Sequence, residues 1–221
     1  MKDLTPIRGR RYINSLVSLG EHENQDFKFA VCDPRKIARS ISAFANHSGG
    51  HLLIGVKDNG RVAGVRDADE EIFVVEKAAE RYCYPPQKVD FSLFSYDTDV
   101  FVVRASVSPS DTPPVEVDEG DGVRRAYYRV ADENIIASRL MTDAWRRRTE
   151  GPGISLSFEP SSLAGAVLHA LSAGPLSPEK IALSTHASLA GVTDTIASLA
   201  AIRMITFHFD GKHFLPRLPE D

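Results

Sequence analysis

Between residues 9 and 19 the apolar side chains Tyr12, Ile13, Leu16, Val17 and Leu19 recur at helical spacing, and Gly20 follows them. The pattern predicts a short amphipathic helix. "NQDFKF" reads next as a strand. Asp33-Pro34 has the form of a helix start, an N-cap carboxylate followed by a proline that needs no donor in the first turn. Ile37, Ala38, Ile41, Phe44 and Ala45 then fall on one apolar stripe, with Arg35, Lys36 and Arg39 off it. Ser48-Gly49-Gly50 closes that helix, "HLLIGV" is an apolar strand, Asp58-Asn59-Gly60 is a hairpin turn, and "RVAGV" is expected to return as its partner strand.

"DADEEIFVVEKAAERYC" places acids in a first turn and Ile72, Val75, Ala79 and Tyr82 on one face, a second amphipathic helix that Pro85-Pro86 ends. "KVDFSLFSYD" and "VFVVRASVS" alternate in period two about Asp97-Thr98-Asp99 and predict a β-hairpin. "RRAYYRV" is a further strand, and residues 136–148 read as helical. Periodicity lapses through "EGPGISLSFEP". Beyond it come helices at 163–172, 177–184 and 190–203 and two short strands about Asp210-Gly211, the order of a winged helix. The expected organisation is a first domain over 1–150, a linker over 151–159 and a winged helix-turn-helix over 160–221.

Composition narrows the class. The chain has 221 residues, of which 43% are hydrophobic and 25% charged, enough for a sizeable core. No apolar run approaches the roughly 20 residues of a spanning helix, and "MKDLTPIRGRR" lacks a signal peptide's apolar stretch, so a soluble cytoplasmic protein with no membrane contact is expected. Cys32 and Cys83 lack metal-ligand spacing and read as buried free thiols. The formal charge of -4 gives no global attraction for phosphate. The charges are segregated, however. Bases gather at Arg35, Lys36 and Arg39, at Arg124, Arg125 and Arg129, and at Arg146, Arg147 and Arg148, while acids gather at 67–71 and 116–121.

Glu21, Asp26-Phe27-Lys28, "AFANHSGG", "HLLIGVKDNG", "VAGV" and later "YYRVADENIIAS" together resemble the Schlafen-type Alba-like DNA-binding domain of bacterial regulators and vertebrate Schlafens. The resemblance spans roughly residues 8–148. It implies an α+β fold, an Alba-like Schlafen core of mixed sheet and helices before the winged helix. It also implies a nucleic-acid-binding protein of bacterial transcription-regulator type, with DNA ahead of RNA as partner and a homodimer admitted. No catalytic role is expected. Lys28, Arg35, Lys36, Arg39, Asn46, Ser48, Arg124 and Arg125 are the candidate nucleic-acid contacts, the bases as phosphate partners, Asn46 and Ser48 as neutral donors.

The same resemblance carries an alternative, a divalent-metal-dependent RNA endonuclease. Its candidate catalytic and metal residues are Glu21, Asp26 and Asp58, which would hold Mg²⁺ or Mn²⁺. Asp26 stands where Glu is usual, and Asp58 lies in a turn that favours Asp for ordinary reasons. A third reading is a protein-interaction or oligomerisation module. No G-x-x-x-x-G-K-[ST] is present. His47 and His51 flank the glycine pair and read as loop histidines. The third helix of the winged region offers Thr193, Asp194, Thr195 and Ser198 to a DNA groove but only Arg203 as a base, and it suits packing as well as reading.

Overall fold

Asp33 starts α2 (Pro34–Ala45) as its sequence requires: the carboxylate accepts from the Arg35 amide at 2.9 Å and the Lys36 amide at 3.5 Å. From Ile37 to Asn46 every residue except Arg39 is buried. A helix so fully enclosed needs cover on several sides. One side is a five-stranded mixed sheet in the order β1 (Ile7–Arg8), β5 (Val89–Asp97), β6 (Val100–Val107), β3 (Gly50–Ile54) and β2 (Gln25–Lys28). Another is an antiparallel sheet of β4 (Cys83–Tyr84), β7 (Glu116–Gly120), β8 (Val123–Val130) and β9 (Glu133–Ile136). Helix α3 (Ala68–Lys77), continuing into a π-helical turn at Ala78–Tyr82, packs beside α2.

This computed structural model describes residues 4–150 and 156–220. Contacts divide them into one unit of 4–111 with 115–136, and a second of 112–114 with 137–220.

Strand alternation assigns the faces. Phe27 and Leu53 pack with Ile13 of α1 (Arg10–Leu19), while Leu52 and Ile54 pack with Ile37, Ile41 and Phe44 of α2. Asp26 and Lys28, in register with Leu52 and Ile54, therefore fall on the α2 side. The glycine pair makes the turn between α2 and β3 possible. Gly49 adopts φ +79° and donates its amide to the Phe44 carbonyl at 2.9 Å, and a Cβ on Gly50 would stand 2.4 Å from the Phe44 ring.

Two local expectations change. "RVAGV" forms no strand: beyond a single Val56–Val62 bridge, Ala63 and Gly64 both donate to the Gly55 carbonyl and Val65 donates to that of Phe101. Gly55 at φ +99° and Gly64 at φ +80° bend the chain out of extended geometry, so no ladder can form. The acidic run at 116–121 contributes β7, whose Val117 and Asp118 stand opposite Arg125 and Arg124. Cys83 is buried, but Cys32 is exposed.

In the second unit α4 (Arg139–Glu150) packs on α7 (Leu189–Ala201), which also contacts α5 (Leu163–Leu171) and α6 (Pro178–Thr185). Ser162, Ser177 and Ser188 cap the last three helices, and β10 (Thr206–Phe209) pairs with β11 (Phe214–Arg217). The α+β class holds. The sequence reading assigns α4 to the first domain, whereas its contacts here lie with the C-terminal helices. Part of the expected linker, 151–155, lies outside the described residues.

Asn46 ties α2 to the second sheet. Its amide donates to the carbonyls of Val115 at 2.9 Å and Tyr127 at 3.0 Å and accepts from the Val115 amide at 2.7 Å, while Ser42 one turn earlier accepts from the Tyr127 amide. Asn46→Ala leaves three buried backbone groups without this partner. We expect a loss of about 3 kcal/mol, measured as a lower urea midpoint at unchanged m-value.

Candidate nucleic-acid interface

The first two turns of α2 and the β7–β8 hairpin bring the sequence-predicted bases together, and the structure separates them by how each is held. Arg39 forks onto Glu119, with Nε 3.0 Å from Oε1, and Glu119 also accepts from the Tyr127 hydroxyl at 2.6 Å. Arg39 holds the Glu119 carboxyl below its usual range; burial, with Glu119, pushes Tyr127 up to about 12. Arg35 lies with its guanidinium 5.4 Å from the Tyr82 ring centroid and close to Gly120. Arg124 stacks at 3.7 Å over Tyr84, and Arg125 adds its field at Glu119. Rings orient these arginines without cancelling their charge. Lys28, Lys36 and Arg39 share a concavity of about 450 Å³ with Asp26, Arg129 and Asn134.

Asn46 and Ser48 do not join that surface. The amide of Asn46 is consumed in the backbone contacts described above, which corrects its assignment as a donor to phosphate. Ser48 is exposed, but its hydroxyl accepts from Asn24 at 2.7 Å and meets His47 Nδ1 at 2.8 Å.

The three acids are not gathered into a cage. Asp26 is 4% exposed, and each of its oxygens faces a cation: Oδ2 lies 2.7 Å from Lys28 Nζ and Oδ1 lies 3.4 Å from Arg129. Ser40 also donates to it at 3.3 Å. Glu21 accepts from the Phe27 amide at 2.9 Å, a bond that satisfies the backbone of edge strand β2. Burial raises the Asp26 pKa, but hydrogen bonding with Glu21 and the charges of Lys28 and Arg129 overcome it and hold the carboxyl low. Burial and the neighbouring Asp26 push Glu21 up. Asp58 stands on an exposed turn, and no group of three His, Cys, Asp or Glu side chains among the described residues is arranged to hold a metal ion. Lys28 and Arg129 already supply at Asp26 the positive charge that Mg²⁺ or Mn²⁺ would bring. These residues do not fit the metal site that the resemblance implied.

Arg129 is the functional-looking residue that sequence reasoning left out of the site. Its side chain is 1% exposed and reaches the carbonyls of His22 and Gln25, the Asn134 amide oxygen at 2.9 Å and the Phe44 ring. Its place in "RRAYYRV" marked it only as one base among several. His51, which opens the expected "HLLIGV" strand, lies in β3 with Nε2 2.9 Å from Gln25 Oε1, and burial with the charges of Arg104 and His22 pushes it down to about 4.

The polar positions of α7 are buried or engaged within the protein. Arg147 of α4 pairs with Asp194 and donates to Ser198, Thr195 and Ser198 are buried, and the Thr193 hydroxyl returns to the Leu189 and Ala190 carbonyls. Arg148 covers the carbonyls of Ala200 and Ala201.

The family profile "Schlafen, AlbA_2" matches residues 21–138. The chain belongs to the Schlafen AlbA_2 family. No curated protein matches it. Among solved structures it is similar to the DIP2311 protein of Corynebacterium diphtheriae, at TM-score 0.44 and 20% identity over 68% of this chain and 30% of that one. It is also similar to the N-terminal domain of a RecG-related protein, named for an ATP-dependent DNA helicase, from Nitrosomonas europaea. That match has TM-score 0.44 and 18% identity over 60% of this chain and 96% of that domain. The chain thus spans 30% of the length of the Corynebacterium protein. Among the described residues of this AlbA_2 protein no helix is long and apolar enough to cross a membrane.

The carboxylate pair makes opposite predictions for its two members. Asp26→Asn leaves Arg129 buried beside a neutral amide and is expected to cost about 3 kcal/mol. Because the Asp26 pKa is depressed, its contribution is present above the ordinary value of 3.8 and disappears as pH falls through the folded-state value. Thermal melts of the wild type against pH should show that acid limb, and Asp26→Asn should flatten it. The raised pKa of Glu21 gives the reverse sign, stability present below 4.5 and lost as pH rises through the folded-state value. Glu21→Gln should therefore melt at or above the wild-type temperature at pH 7. Mn²⁺ should leave all three melting temperatures unchanged; a rise seen in wild type and absent in Asp26→Asn would restore the metal reading.

Proposed function

We propose that this AlbA_2 chain binds nucleic acid, as a bacterial transcription-regulator type of protein with duplex DNA as its ligand, through the face formed by α2 and the β7–β8 hairpin. The observation that carries the reading is the convergence of Arg35, Lys36, Arg39, Arg124 and Arg125 from two separated sequence segments, in a chain whose formal charge is -4. The same hairpin carries Glu116, Asp118, Glu119 and Asp121, so the attraction for phosphate rests on how each base is held and not on a net local charge.

The holding of each base ranks them. Arg39 and Lys28 sit on carboxylates, so a phosphate must compete with Glu119 or Asp26 for them. Arg35 and Arg124 rest on aromatic rings and Lys36 is exposed, so these retain charge for an incoming phosphate. No reading of bases by α7 enters the proposal, because Thr195 and Ser198 are buried, Asp194 is paired with Arg147 and Thr193 bonds its own helix. Family membership supports the same conclusion; the nuclease alternative has no cage to support it.

Duplex binding should fall steeply with salt, and each phosphate contact removed should lower the slope of log K against log [salt] by about 0.9. Arg35→Ala with Lys36→Ala, and separately Arg124→Ala with Arg125→Ala, should each reduce the slope. Arg39→Ala should change it least and lower thermal stability most. Fluorescence anisotropy between low and moderate salt reads all three, and absence of binding by the wild type at low salt would overturn the proposal.

A further inference from the structure

Strand alternation turns Arg104 of β6 to the α1 side of the five-stranded sheet, the side on which Val102 packs. Its register neighbours there are Leu53 on β3 and Ser92 on β5, and one step along the sheet Ser106 stands between His51 and Asp90. Helix α1 covers one end of this face, where Ile13 packs with Phe27, Leu53, Phe94 and Val102. The other end is polar, with Arg104, His51, Ser92 and Ser106 all half-buried.

Arg104 has no counter-ion among the described residues. Its Nε is buried without a hydrogen-bond partner, and its guanidinium carbon lies 5.9 Å from the centroid of the Tyr12 ring. Arg217, whose Nε is also buried and unpartnered, at least pairs with Glu220. The acids nearest Arg104 in the fold are committed elsewhere: Asp90 lies 3.5 Å from Lys88, Glu21 accepts from the Phe27 amide, Glu23 lies 4.0 Å from His47, and α1 contains no acid. A half-buried guanidinium left without an anion, in a chain with 30 acids, is a cost that the fold itself does not explain. His51 adds no charge to it. The Gln25 amide nitrogen donates to the carbonyls of Leu16 at 2.8 Å and Gly20 at 2.6 Å, which leaves its oxygen to accept from His51 Nε2. The ring, held down to about 4, is neutral at pH 7.

We propose that Arg104, with the hydroxyls of Ser92 and Ser106, binds the terminal phosphate of a small phosphomonoester. The guanidinium fork offers paired N–H donors to two phosphate oxygens, and the serines add neutral donors from the same and the opposite strand. One cation suits one terminal phosphate, whereas a duplex backbone presents a row of phosphates and calls for a row of bases. The site lies on the face of the sheet opposite α2, so it is independent of nucleic-acid binding by α2 and the β7–β8 hairpin.

Inorganic phosphate is the probe, added to the full chain. It should shift the His51 ring resonances saturably in NMR spectra and raise that ring's pKa, because an anion on Arg104 offsets a charge that lowers it. Arg104→Gln should weaken binding by about tenfold or more. Ser92→Asp supplies a carboxylate to Arg104 from the opposite strand, so it should abolish phosphate binding while melting at or above the wild-type temperature, which a misfolded variant cannot do. Phosphate that leaves His51 of the wild type unmoved at millimolar concentration overturns the proposal, as does phosphate that binds either variant as tightly as wild type. Duplex anisotropy separates the sources of phosphate: equal salt slopes for Arg104→Gln and wild type support a small ligand, and a slope lower by about 0.9 assigns the contact to a nucleic-acid backbone and overturns the small-ligand reading. Arg35→Ala with Lys36→Ala should leave the His51 response to phosphate intact, so this result stands apart from any failure of the nucleic-acid proposal.

Discussion

The buried guanidinium of Arg129 is the constraint on which the first unit depends. It enters from β8 and ends against Asp26 of β2, two carbonyls of the segment before and within β2, and Asn134 of β9. One side chain thus joins the outer edge of one sheet to the other sheet. A charge at 1% exposure is tolerable only where a counter-charge and several acceptors surround it. Asp26 supplies the first and the carbonyls supply the rest. Removing any of these partners leaves a buried cation, so the geometry of β2, β8 and β9 must be held together for Arg129 to be buried at all.

That constraint also decides what Asp26 can do. A carboxylate available to a metal needs at least one oxygen free of other cations. Here Lys28 and Arg129 occupy both, and Ser40 adds a donor. The same acid–Phe–Lys motif that suggests metal chemistry in a sequence becomes, with an arginine delivered from β8, an internally neutralised network. Glu21 is diverted in another way, to the Phe27 amide, where it satisfies an edge-strand donor that would otherwise invite a foreign strand.

The sequence was most legible where one local cause dominated. The Asp33-Pro34 cap, the apolar stripe of α2, the β5–β6 hairpin and the serine-capped C-terminal helices each follow from spacing or from one turn residue. It was least legible where partners come from far away in the chain. Strand β7 is written in acids with low strand preference, and its arginine neighbours on β8 are set by register. Asn46 looked like a ligand donor because its motif ends a helix beside glycines; its acceptors at residues 115 and 127 are invisible until the second sheet folds over α2. Arg129 shared a run with Arg124 and Arg125, and by alternation it shares a face with Arg125; it is buried because β2 and β9 supply partners at its end of β8, while the hairpin end leaves Arg124 and Arg125 exposed.

The arrangement of the exposed bases bears on how a chain of net charge -4 can hold a polyanion. A free arginine loses side-chain freedom when it meets phosphate, and that loss opposes binding. Arg35 on Tyr82 and Arg124 on Tyr84 have part of that freedom removed in advance by ring contact, with the charge left intact. Arg39 is ordered too, but by Glu119, so a phosphate gains from it only the difference between two anionic partners. Ordering by aromatic rings and ordering by acids therefore have opposite consequences for affinity, although both present an equally fixed guanidinium. The tyrosines Tyr82 and Tyr84, which no motif singled out, are the residues that preorganise two arginines of this face without cancelling their charge.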